Sequence, residues 1–247
     1  MKTIAILQPM FIPYLGYFEQ MALTDLFVYL DDVQYTRKDW RNRNRVKTAN
    51  GWIWLTVPVK KCPRDTLLGD VVINYEQDWV RRHLKTLEVA YKKAPFFHPL
   101  YDEIKDILES GITNLVQLDV VLLQCLRKHL KITTPERFSS SVPRRATNKN
   151  ERIMEICRYF DADLLYDGKS AAEFIDRDLF AARGLEVIFQ DYAHAHYPQQ
   201  FDGFIPNLSA VDVIFNTGPE ARNIMLDRGD PLAKMRTRNG FRRNTKQ

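Results

Sequence analysis

Apolar positions along the chain follow two rhythms, and the switch between them predicts the elements. Thr3 to Leu7 is a short, partly β-branched apolar run interrupted by Gln8-Pro9 and Pro13, the pattern of a buried strand emptying into a loop. From Tyr14 to Leu23 the period changes: Leu15, Phe18, Met21 and Ala22 stand three and four apart, which predicts a helix with one apolar face. Leu26 to Leu30 reads as a second strand. Strand, loop, helix and strand make a right-handed crossover unit, whose ligands gather where the strands end in loops.

The remainder extends this plan. Gly51 to Lys60 alternates Trp52, Trp54 and Thr56 against Ile53, Leu55, Val57 and Val59. With Arg45 to Thr48 before it, this predicts a hairpin near 42 to 59 with an Asn50-Gly51 turn. Val71 to Ile73 is one more short strand. Residues 77 to 130 read as a helical insertion: a stripe of Val80, Leu84, Leu87 and Tyr91 stopped by Pro95, then Leu100 to Leu108, then Leu115 to Leu130, apolar over most of its circumference. Strand and helix then alternate again, with a weak strand at Arg137 to Val142, a helix at Lys149 to Phe160, a strand at Asp163 to Tyr166, a helix at Ala171 to Ala182 and a strand at Leu185 to Gln190. A helix at Ser209 to Asn216 follows, capped by Ser209, with Asp212 complementing its dipole. The expected fold is therefore α/β, a doubly wound, mostly parallel sheet of Rossmann-like type with a β-hairpin and a helical insertion. Residues 1 to 218 read as one elaborated domain, and 219 to 247 as a helical end with a basic, mobile tail.

Composition narrows the class. At 247 residues, 45% hydrophobic and 27% charged, the chain can bury a sizeable core. Cys62, Cys125 and Cys157 are odd in number and far apart, which suggests neither a disulfide framework nor a metal knuckle. The longest apolar runs fall short of the roughly 18 residues a membrane helix needs, and Gln8-Pro9 breaks the only candidate signal core, so a cytoplasmic protein without membrane insertion is expected. The net charge of +5 is unevenly spread. Arg37, Lys38, Arg41, Arg43, Arg45 and Lys47 face only Asp39 in their segment, the tail from Lys234 is basic throughout, and the rest is net negative. That remainder argues against nucleic acid as the partner.

Candidate chemistry concentrates at four strand ends. After the first strand come Gln8, Tyr14, Gly16 and Tyr17, where glycine permits close approach to a helix N-terminus that favours anions. After the second come Asp31-Asp32, Trp40 and the alternating Arg41, Arg43 and Arg45 with Lys47, a set of side chains suited to phosphate or carboxylate. Asp167-Gly168-Lys169-Ser170 offers a further anion or cap position but is not a Walker A loop, because the upstream glycine is missing. After the last strand, His194 and His196 share a face, yet no third ligand stands at a telling spacing, so no metal is expected. His83, His98 and His129 are scattered without ligand spacing. His194 and Asp32 are the candidates for moving protons.

The blocks QPMFIPYLGYF, TDLFVYLDDVQYTRKDWRNRNRVK, GWIWLTVPVK, DADLLYDGKSA, VIFQDYAHAHYPQQF and FIPNLSAVDVIFNTG together resemble the WbqC-like family, encoded among bacterial surface-polysaccharide and O-antigen biosynthesis genes. A histidine, a tyrosine and a glutamine of that family's pattern correspond to His194, Tyr197 and Gln199, leaving His196 as an extra. The resemblance implies a cytoplasmic bacterial protein of glycan or sugar-nucleotide metabolism. The opening unit also looks like the HUP-type nucleotide-binding fold, although Tyr14 and Tyr17 stand where its adenylyl-transferring members use two histidines, and Lys234-Met235 matches their lysine loop poorly. The expectation is a transferase taking a phosphorylated, nucleotide-linked or acyl-activated substrate, with no cofactor beyond such a donor. In it, Arg41, Arg43 and Lys47 clamp phosphates, Gln8, Tyr14 and Tyr17 line the pocket, and Trp40 stacks on a ring. The alternative is a noncatalytic binding or assembly component of the same pathway.

Overall fold

The computed structural model describes residues 1–227 and 229–233. Five parallel strands form its main sheet: β1 (Thr3–Leu7), β2 (Leu26–Tyr29), β5 (Glu136–Phe138), β6 (Leu164–Asp167) and β7 (Glu186–Phe189), in the order β5-β2-β1-β6-β7. Strand direction and the strict two-residue period send side chains to opposite faces. Ile4, Ile6, Leu26, Val28, Leu165 and Val187 pack with helices α5 (Lys149–Tyr159) and α6 (Arg177–Ala181). Ala5, Phe27 and Tyr29 face the other way, onto α1 (Leu15–Leu23) and the helical layer α2 (Trp79–Tyr91), α3 (Leu100–Glu109) and α4 (Leu115–His129). Two apolar faces explain why the strands read as nearly continuous hydrophobic runs.

The chain leaves β1 toward β2 and β5, then returns to β6 on β1's other side. Strand order therefore reverses between β1 and β6, and their carboxyl ends open the crevice where sheets of this kind bind ligands. Beside it lies the hairpin of β3 (Arg43–Thr48) and β4 (Gly51–Thr56). Helices α7 (Ala210–Thr217) and α8 (Ala221–Met225) complete the described chain, and the basic tail from Lys234 lies outside it.

Four expectations change in detail. Thr48 pairs with Gly51, so Ala49 and Asn50 form the turn, while Gly51, at φ 105°, takes the glycine-specific position that follows it. The segment 171–182 is not one helix but a 3-10 turn at Lys169–Glu173 followed by α6. Asn150 bonds the Phe174 carbonyl and the Asp176 amide, and the Asp176 carboxylate caps the Leu179 amide, so side chains satisfy the backbone and restart the helix. The weak strand shortens to β5, with a 3-10 turn at Ser139–Ser141 after it. Val71–Ile73 makes only isolated bridges, to Val59 and Asn114.

Candidate functional site

Tyr14 is the N-cap residue of α1, and its ring folds back over the helix start. A Cβ at Gly16 would lie 2.4 Å from that ring, so the glycine is required for the packing of Tyr14. Against the same turn rests the end of β7. Buried Gln190 donates its amide to the Gly16 carbonyl (2.7 Å) and to the Glu19 carboxylate (2.6 Å), and accepts from Gln20 (2.9 Å). The Tyr166 hydroxyl also donates to Glu19, at 3.0 Å. Burial raises the Glu19 carboxyl above its ordinary range, and these donors oppose the rise.

The chain beyond Gln190 brings Tyr192 and His194 to Tyr14. The Tyr14 ring lies 5.9 Å from Tyr192 and 6.1 Å from His194, and those two meet edge to face at 5.1 Å. Neither His194 nitrogen nor the Tyr192 hydroxyl has a hydrogen-bond partner among the described residues. Burial alone pushes the His194 imidazole down to about 4, so at neutral pH it is an uncharged ring with a vacant acceptor. A cavity of about 220 Å³ opens beside this group, lined by Glu19, Tyr166, Phe189, Tyr192, Ala193 and Met225 among others. Of these unpartnered groups, Tyr192 lines the cavity and His194 lies behind it in the chain, packed on the Tyr192 ring.

A second group surrounds Gln8. Its side-chain oxygen accepts from Arg41 Nε at 2.7 Å and its carbonyl from the Tyr17 hydroxyl at 3.2 Å, while Arg41 also pairs with Asp39. The Asp119 carboxylate of α4 shares the field of Arg41 and Tyr17, is fully buried, and has no hydrogen-bond partner among the described residues. Burial pushes its proton affinity far up, against the pull of Arg41. The two groups share the loop between β1 and α1.

The remaining candidates are placed elsewhere. Asp32 accepts from Arg152 at 2.7 Å and from Ser139, and Asp31 bonds Ser139 and Ser140, so the acid pair anchors the turn after β5. Arg43 and Trp40 lie on the outer face of the hairpin, where Arg43 stacks 4.3 Å over Trp54 and Trp40 packs 5.3 Å from the same ring. Lys47 is buried, its ammonium held by the carbonyls of Phe201 and Gly203. Tyr197 and Gln199 belong to a buried network: Tyr197 and Tyr91 donate to the two oxygens of Asp212, at 2.9 and 2.7 Å, and Gln199 donates to Tyr197. Asp212, expected to serve the helix dipole, thus sits fully buried at the centre of that network. His196 stacks on Phe204, 4.1 Å between centroids.

The structure adds residues that spacing did not single out. These are Asp119, Gln190 and Tyr192; Asp167, read from the sequence only as part of an anion or cap loop, ends β6 at the switch point, where burial raises its carboxyl to about 7 against one bond from the Gly168 amide. Glu103, Cys125 and His129 bring three donor atoms within 4.8 Å of one another, and the i, i+4 spacing on α4 is what joins the last two. The Lys128 ammonium, 3.2 Å from Glu103, already supplies that carboxylate with a cation.

An all-parallel sheet whose polar and aromatic loop residues gather where the strand order reverses has the ligand-binding arrangement of Rossmann-like α/β proteins. The chain belongs to the WbqC-like protein family, whose model matches residues 8–224. It is similar to the uncharacterized protein Rv1507c of Mycobacterium tuberculosis (strain ATCC 25618 / H37Rv), at 37% identity over 230 residues that span 90% of this chain and 96% of the relative. No solved structure matches the chain. Among the described residues, no helix is long and apolar enough to cross a membrane.

Proposed function

We propose that this chain is a cytoplasmic enzyme of bacterial surface-glycan biosynthesis, a transferase that takes a nucleotide-activated or acyl-activated sugar precursor at the carboxyl edge of its sheet. The observation that carries the proposal is His194, half-buried against Tyr14 and Tyr192, with both ring nitrogens buried and without a hydrogen-bond partner among the described residues. In such a transfer the acceptor oxygen bonds the activated carbon, the bond to the leaving phosphate or thiolate breaks, and the hydroxyl proton passes to the neutral imidazole. Burial lowers its basicity, and a phosphate beside it would raise it. Gln8 and Arg41 support the same loop from the β1 side.

The test is a thermal-shift panel of nucleotide sugars and acyl thioesters on the wild type and His194→Ala. A saturable rise in melting temperature with one donor class, followed by transfer lost in His194→Ala, is the expected result. No shift with any donor, alongside a co-purifying partner protein, would replace it with the noncatalytic assembly reading.

A further inference from the structure

The outer face of the hairpin carries a row of chemistry that the crevice does not use. Arg43 and Arg45 alternate along β3, and Arg45 pairs across the strands with Trp54, so these side chains share one side of the ribbon with Trp52. Trp40 joins them from the preceding turn, 5.3 Å from Trp54, and Trp52 meets Trp54 at 5.5 Å. Arg45 stands amid all three rings, 5.1 Å from Trp52, 5.6 Å from Trp40 and 6.0 Å from Trp54, while Arg43 covers Trp54. Stacking on indoles fixes both guanidinium groups before any ligand arrives.

Two features define what would bind. Each guanidinium donates to a backbone carbonyl, of Lys38 or Asn207, and neither meets a carboxylate among the described residues, so the charge of the row is uncompensated. The indoles remain open, with Trp40 38% and Trp52 44% exposed, and exposed rings of this size bind amphipathic surfaces. Their planes are tilted by 53° and 85°, a corrugated surface rather than a slot for a flat base. A saccharide has apolar C–H faces for such rings, and a uronic-acid carboxylate suits a guanidinium fork.

The row also adjoins the crevice. The Trp40 carbonyl accepts from the Phe11 amide at 3.2 Å, and Asn44 donates to the Phe11 carbonyl at 3.2 Å, so the hairpin is sewn to the loop that carries Gln8 and Tyr14.

We propose that Trp40, Trp52 and Trp54 with Arg43 and Arg45 form the acceptor platform of the transferase, binding a short saccharide that carries a carboxylate. This rests on the functional reading above for the word acceptor; the binding itself is independent of it.

The experiment titrates tri-galacturonate, maltotriose and a hexauridylate into the wild type, Trp52→Ala and Arg43→Gln, reading tryptophan fluorescence and calorimetry. Tri-galacturonate should quench emission saturably, maltotriose should bind at least about tenfold more weakly, and each variant should lose about tenfold in affinity for the acidic trimer at an unchanged melting temperature. Absent quenching, equal affinity for maltotriose, unaffected variants, or tighter binding of hexauridylate would each overturn the proposal. The arms separate the two readings. Tri-galacturonate binding without any nucleotide-sugar or thioester shift sinks the donor reading and leaves the platform standing, and the reverse sinks the platform alone.

Discussion

Gln190 donates to the Glu19 carboxylate at 2.6 Å and to the Gly16 carbonyl at 2.7 Å, fastening the end of the last strand to the helix that follows the first. Gln190→Ala would leave a buried carboxyl short of a donor and remove the acceptor of Gln20. The expected loss is about 1–3 kcal/mol of unfolding free energy in urea. A loss below the error of that titration would show that the contact is not maintained in solution.

Asp32 and Arg152 offer a discrimination between scaffold and chemistry. Their ion pair is enclosed, with the Arg152 side chain 3% exposed. Asp32→Asn should cost about 1–3 kcal/mol, because it removes one of the two carboxylates on a buried guanidinium that keeps Glu155 at 2.7 Å and the Ser139 and Val142 carbonyls. A proton-carrying Asp32 would instead give a stable, inactive Asp32→Asn protein.

Lys47 is expected to behave as scaffold as well. Lys47→Met removes the donor to the Phe201 and Gly203 carbonyls, and should lower stability by roughly 1–3 kcal/mol while leaving affinity for phosphorylated ligands unchanged. Calorimetry showing a weakened phosphate interaction at intact stability would return Lys47 to the role of clamp.

Asp167 makes a pH prediction of definite sign. Its folded value of about 7 lies above its ordinary 3.8, so between those limits the folded state holds the extra proton and stability falls as pH rises. Asp167→Asn imitates the protonated form. The variant should match the wild type near pH 4 and exceed it by up to about 4 kcal/mol at pH 8. Parallel curves for the two proteins across that range would contradict the assignment.

His194 acts in the opposite direction. Its folded value of about 4 lies below the ordinary 6.5, so the unfolded chain binds the extra proton between them and stability is lost as pH falls through that window. Relative to His194→Gln, the wild type should lose up to about 3 kcal/mol between pH 6.5 and 4. A ligand bringing a phosphate to the ring should shift this window upward in NMR titrations of the imidazole.

The opening strand, helix and strand were readable because the apolar period changes from two to three and four within a few residues, and the hairpin because its alternation is strict. The turn was misplaced by one residue, since a glycine at positive φ serves equally inside a turn or just after it. The break at Asp176 was hidden because side-chain bonds from Asn150, on another helix, decide it. The site divides similarly. Tyr14 with His194, and Gln8 with Arg41, come together from strand ends that periodicity could locate. Asp119 sits inside an apolar stretch and Gln190 closes an apolar strand, where one polar residue sets no pattern. Glu19 and Gln190 are 171 positions apart, and only the sheet order makes them neighbours.

The stretch between β7 and α7 is moored repeatedly. Gln190 holds its start, Gln199 bonds Ile205 within it, Tyr197 reaches Asp212, and the amides of Ser209 and Ala210 are taken by the carbonyls of Arg45 and Pro13. A protease cutting at exposed Asp202 would therefore release neither fragment. The nicked polypeptide would migrate as one particle under native conditions and separate into two pieces only when denatured.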